Sequence, residues 1–99
     1  MYENKVVLGL IRVHILHHSD SDEGFYGSWM MDELKRHGYS ISPGTIYPIL
    51  HEMEGDGVIR SEKVVSNGRV RKVYRITPKG REVLRELLGY VRELSDEVL

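Results

Sequence analysis

Residues 41–59, ISPGTIYPILHEMEGDGVI, carry the sharpest local signal in this 99-residue chain. Ser42 suits an N-cap, Pro43 the first helical position, and Gly57 a left-handed stop, so the spacing predicts a helix over residues 42–56. Ile46, Ile49, Leu50 and Met53 recur at three- and four-residue steps and form one apolar face. The opposite face carries Thr45, Tyr47, Pro48, His51 and Glu52, polar groups suited to probing a partner. Pro48 removes the hydrogen bond to the Gly44 carbonyl and disfavours helical dihedrals at Tyr47, which would split the stretch into two short pieces. The apolar spacing stays in phase across the proline, and the cost falls near a helix start, so one helix is expected. An amphipathic helix preceded by another helix and a tight turn is the pattern of a helix-turn-helix reader of DNA.

Working outward, residues 25–37, FYGSWMMDELKRH, predict the preceding helix, with Met30 and Leu34 on its apolar face and Gly38 ending it. Phe25 and Trp29 lie four apart and pack together as core or subunit-interface residues. Alternatively, Trp29 stacks on a flat ligand and marks an effector pocket. On the other side, residues 58–76 predict a β-hairpin around Asn67-Gly68, the strongest short turn signal available. That turn pairs Ser66 with Arg69, Lys63 with Lys72, Ser61 with Tyr74, Arg60 with Arg75 and Ile59 with Ile76. Like charges directly across a sheet cost up to about 1 kcal/mol per pair, which suggests an anion that relieves them. An exposed hairpin whose lysines guard its edges is the plainer alternative. Tyr74 and Ile76 are expected in the core.

Residues 78–99 predict a long helix with Thr77 as N-cap. Leu84, Leu87, Val91, Leu94 and Val98 follow a heptad spacing, and Leu88 widens the stripe. At about 1.5 Å per residue this helix is roughly 30 Å long, more than a small core covers, so a homodimer seam is expected along these six residues. Packing on the first helix of the same chain is compatible with that. Residues 5–18, KVVLGLIRVHILHH, fit both a strand and a helix. The length of the apolar run favours a helix, buried partly within this chain and partly elsewhere. His17 and His18 precede the acidic loop SDSDEG, but adjacent helical side chains point about 100° apart, so no metal site is assigned there.

Composition sets the outer bounds. With 99 residues the chain is read as one domain, 40% hydrophobic and 29% charged. It contains no cysteine, which excludes disulfides, thiolate metal sites and cysteine nucleophiles. No apolar run reaches membrane-spanning length and no signal layout opens the chain, so no membrane partner is implied and the cytoplasm is the default location. No spacing matches a catalytic triad, a phosphate-cradling loop or a closed metal site, so neither an enzyme nor a cofactor is expected. The net charge of -1 is unusual for a nucleic-acid binder. Its distribution is not: residues 58–81 hold eight Lys or Arg against one acid, a local balance of +7. That concentration defines a contact surface better than the total does.

Helix, helix-turn-helix, hairpin and long helix make the fold class mostly α with a β-hairpin. This is a winged helix-turn-helix with an N-terminal helix and a long C-terminal dimerisation helix. The sequence also resembles the PadR-like family of transcriptional regulators. The resemblance lies in SPGTIYPILHEME at 42–54, GVI at 57–59 and GRVRKVYRITPKGR at 68–81, and it covers most of the chain. The short length is similar to the subgroup with a single C-terminal helix. The resemblance implies a homodimer built from the first and last helices, repressing genes from pseudo-palindromic double-stranded DNA. It also implies that Tyr47-Pro48 belongs to the family pattern, and some members bind small aromatic effectors near the dimer interface. The chain departs from the family where Tyr26-Gly27-Ser28-Trp29 replaces the usual H-G-Y-E, after a longer, acidic link.

The expected mechanism is sequence-specific DNA binding. Thr45, Tyr47 and His51 meet base edges or phosphates in the major groove, while Ser42, Pro43 and Gly44 present the helix start to a phosphate. Arg69 and Arg71 reach the backbone or the adjacent minor groove, with Lys63 and Lys72 on phosphate. A winged-helix protein-interaction module without sequence-specific DNA binding is the alternative. It would need a large exposed apolar face on the wing or reading helix.

Overall fold

The computed structural model describes residues 2–99. The order is α1 (Tyr2–Ser19), β1 (Phe25–Tyr26), α2 (Gly27–Arg36), α3 (Pro43–Gly55), β2 (Ile59–Ser66), β3 (Arg69–Ile76) and α4 (Pro78–Val98). This is a winged helix: three helices, an antiparallel hairpin and a long terminal helix. The β-branched segment at the start is helical, because burying Ile11, Ile15 and Leu16 outweighs weak helix propensity.

The core is shared by all the helices. Ile11, Ile15 and Leu16 from α1 meet Met30 and Leu34 from α2 and Ile46, Ile49, Leu50 and Met53 from α3, with Ile59, Tyr74 and Ile76 closing the sheet side. Burying each such side chain contributes about 1.5–3 kcal/mol. α3 is unbroken through Pro48, which lies on its exposed face in the second turn. It stops where Gly57 takes a left-handed conformation and the Val58 amide donates to the Met53 carbonyl.

The sheet corrects one sequence expectation. The helix predicted from residue 25 begins at Gly27, because Phe25 and Tyr26 form a third strand that pairs with β3, giving the order β1-β3-β2. Phe25 lies opposite Tyr74 and Tyr26 opposite Val73. A two-residue strand has too few positions to show an alternating pattern, and only the partner strand makes it one. The hairpin has the expected register throughout, from Ile59 opposite Ile76 to Ser66 opposite Arg69. Asn67 and Gly68 both have positive φ, as the tight turn requires.

α4 is anchored at its start. Thr77 accepts a hydrogen bond from the Gly80 amide at 3.0 Å and donates to the Gly57 carbonyl at 2.6 Å. A Cβ at Gly80 would stand 2.0 Å from the Val58 carbonyl oxygen, so only glycine lets the helix sit this close. Leu84, grouped with the dimer seam by its spacing, is instead 7% exposed and belongs to the chain's own core. It lies in the first two turns of α4, where the helix still crosses the body of the protein. Leu87 packs half-buried against that core. Beyond it Leu88, Val91, Leu94 and Val98 are exposed, as are Val6 and Leu10 on α1.

Candidate nucleic-acid interface

The two faces of α3 separate cleanly. Its apolar stripe is buried, while Thr45, Tyr47, Pro48, His51 and Glu52 are exposed. Ser42 occupies the N-cap position with extended backbone, and its carbonyl accepts from the Thr45 and Ile46 amides, each at 3.0 Å. Its hydroxyl does not cap the helix; it lies 3.4 Å from the Thr45 hydroxyl. The first turn carries no acidic residue, so nothing there offsets the positive end of the helix dipole. Ser42, Pro43 and Gly44 are all exposed at this end.

The basic segment divides once its partners are known. Lys79 donates to the Asp56 carbonyl at 2.7 Å, closing the end of α3, and Arg81 pairs with Asp20 at 3.1 Å. Arg75 donates to Glu62 and, at 3.0 Å, to the carbonyl of Asp22. This corrects the expectation that an external anion relieves the Arg60–Arg75 pair: Glu62 and the loop carbonyls already satisfy Arg75. Arg60, Lys63, Arg69 and Lys72 form no ion pair or hydrogen bond with another side chain among the described residues. Arg71 lies over the Tyr26 ring, 5.0 Å from its centroid, which holds the guanidinium without neutralising it.

The helix and the wing share one cleft of about 680 Å³. Tyr47 and His51 line it from α3, Arg69, Arg71 and Lys72 from β3, and Tyr26 and Ser28 from the β1–α2 corner. Lys63, on the outer strand, does not line it, and neither does Thr45. Tyr26 and Ser28 were missed by sequence reasoning, because their role depends on the strand pairing that brings the corner against β3. Gly27 supplies the fit: a Cβ there would lie 2.6 Å from the Tyr47 ring. Deeper in the cleft, Glu54 accepts a hydrogen bond from Ser61 at 2.7 Å. Burial, then Glu54 and Tyr47, raises the Tyr74 pKa above its ordinary value, so this phenol stays neutral.

Two further regions lie outside this cleft, the first sharing Tyr26 with it. Trp29 is partly exposed, stacks on Phe25 with centroids 6.3 Å apart, and lines a second cavity of about 510 Å³ with His18, Gly24, Tyr26 and Val73. Between α1 and α2, burial lowers the pKa values of His14 and His18. Neighbouring histidine charges, His37 and His17 for His14 and His17 for His18, add to that lowering. Burial pushes the Glu33 carboxyl up, but its hydrogen bond to His37 and the charges of Arg36, His18 and His37 leave it below the ordinary value. Among the described residues, no helix is long and apolar enough to cross a membrane.

Comparison with known proteins agrees with this architecture. The transcriptional regulator PadR-like family matches residues 15–86. The chain is 52% identical over 89 residues to the transcriptional regulator Rv3488 of Mycobacterium tuberculosis, covering 90% of this chain and 82% of that one. A PadR-like transcriptional regulator from Bacillus cereus superposes with a TM-score of 0.76 at 34% identity, covering 96% of this chain and 89% of the other. A PadR family regulator from Eggerthella lenta gives a TM-score of 0.76 at 29% identity, covering 98% and 88%. With the family pattern spanning most of its length and a relative more than half identical along it, this chain belongs to the PadR-like family of transcriptional regulators.

Proposed function

We propose that the chain is a repressor that binds a pseudo-palindromic operator as a homodimer, with α3 in the major groove and the β2–β3 hairpin as the wing. The observation that carries this reading is the shared cleft. Tyr47 and His51 on α3 stand beside Arg69, Arg71 and Lys72, so groups able to discriminate base edges border cations able to hold phosphate. Ser42, Pro43, Gly44 and Thr45 present the helix start to a phosphate, and Lys63 adds a more distant backbone contact. The exposed apolar row on α4, Leu88, Val91, Leu94 and Val98, with Leu87 at its inner margin, forms the seam with a second copy. Val6 and Leu10 of α1 extend it. Two reading helices then fall about 34–36 Å apart, one turn of DNA.

An aromatic effector that releases the operator would enter the cavity beside Trp29, whose exposed ring, backed by buried Phe25, offers a stacking surface. The protein-interaction alternative gains little support, since the cleft face of α3 is polar. The two large apolar residues exposed on the wing, Val65 and Val70, face each other at its tip.

The test is a selection of bound fragments from the source genome, followed by titration of Tyr47→Ala and His51→Ala on the selected site and on random duplex. Loss of preference for the selected site with little change on random DNA supports base reading. Equal losses on both would make these residues phosphate contacts, and failure to enrich any sequence would refute sequence-specific binding.

A further inference from the structure

Three imidazoles from two helices converge on one point, away from the DNA-facing cleft. His14 and His18 stand four residues apart on α1 and share a face, while His37 is the cap residue at the end of α2. One ring nitrogen from each lies within 4.8 Å of those of the other two. The His14 and His37 ring centroids are 5.0 Å apart.

Glu33, one turn before His37, is buried beside them, and its Oε2 lies 3.3 Å from Nε2 of both His18 and His37. Those separations are long for charge-assisted hydrogen bonds, which run about 2.7–2.9 Å. They match the edge, about 3.3 Å, of a tetrahedron built on metal–ligand bonds of about 2.0–2.1 Å. The second carboxylate oxygen, Oε1, makes no hydrogen bond, although the exposed Arg36 guanidinium stands 3.3 Å away.

We propose that His14, His18, His37 and Glu33 form a site for one divalent first-row transition-metal ion of the zinc type. Three imidazole nitrogens and one carboxylate oxygen are the donors such ions take, whereas calcium and magnesium favour sets made of oxygens. The carboxylate, itself buried, offsets part of the ion's charge. The three imidazole nitrogens all lie within 4.8 Å of one another, and half-buried His14 and exposed His37 lie outside the fully buried core. His17, the sequence neighbour of His18, is not among the converging groups. The fold instead joins His18 to residues one turn back and on the next helix.

The experiment titrates zinc chloride into chain freed of metal by chelation. Calorimetry and the fluorescence of Trp29, the sole tryptophan, whose ring lies 5.4 Å from that of His18, report binding. Cobalt(II) then reports the geometry. The expected result is one ion per chain, the intense visible bands of tetrahedral cobalt, and affinity reduced at least about 100-fold in His18→Ala, His37→Ala and Glu33→Gln. His17→Ala should bind as the parent does. His37 is exposed at a helix end, so His37→Ala decides the matter even if a more buried variant fails to fold. Zinc should also raise the melting temperature of the parent and not of His37→Ala. Undiminished zinc affinity in His37→Ala, equal loss in His17→Ala, or the weak spectrum of octahedral cobalt would overturn the assignment.

Discussion

Replacing Arg69 and Arg71 together by alanine should flatten the salt dependence of DNA binding. Neither guanidinium has an acidic partner among the described residues, and Arg71 is held by the Tyr26 ring, which leaves its charge intact. In a dimer the double substitution removes two cations from each copy. Each neutralised phosphate contributes about 0.9 to the slope of log affinity against log salt, so the slope should become shallower by about 3.6. Between about 50 and 200 mM salt, that difference amounts to roughly a 150-fold smaller loss of affinity in the variant than in the parent. Fluorescence anisotropy on a labelled duplex at several potassium chloride concentrations measures it directly. Arg75→Ala is the internal control: its charge is already engaged by Glu62 and the Asp22 carbonyl, so it should leave the slope nearly unchanged. An unaltered slope in the double variant, or equal flattening in Arg75→Ala, would refute this division of the basic segment into free and engaged charges.

Other substitutions test other parts of the structure. Gly27→Ala forces the Tyr47 ring aside without burying a clash against backbone, so discrimination between a selected site and random duplex should fall while the melting temperature holds. Gly80→Ala drives a methyl group into the Val58 carbonyl and should cost about 1–3 kcal/mol or more in urea unfolding; a parental midpoint would mean α4 is not seated so closely. Val91→Asp with Leu94→Asp should give folded monomers by sedimentation, whereas Leu84→Ala should lower stability by about 2–5 kcal/mol and leave the dimer assembled. A dimer that survives the paired aspartates would move the seam to α1.

Much of the fold was legible because the relevant signals are local. The apolar steps at Ile46, Ile49, Leu50 and Met53, the proline and glycine that bracket them, and the Asn67-Gly68 turn each act within a few residues of chain. The hairpin register followed from that turn alone, since a two-residue loop leaves the flanking strands one way to pair. Candidate reading residues were legible for the same reason: a helix with one buried face exposes the other.

The order of elements, the buried and exposed faces of α3, and the concentration of positive charge in residues 58–81 can all be read from the chain alone. These depend on residue type and spacing, which local physics converts into structure. Which charges remain available depends on packing. Arg75, Lys79 and Arg81 are engaged by carbonyls and acids from distant parts of the chain, while Arg71 is presented on a tyrosine whose strand exists only because β3 lies beside it. The same holds for Leu84, which heptad spacing cannot distinguish from Val91, and for His14, His18, His37 and Glu33, which α1 and α2 bring together. Contacts between residues far apart in sequence depend on how helices cross, and no spacing along one chain encodes that crossing.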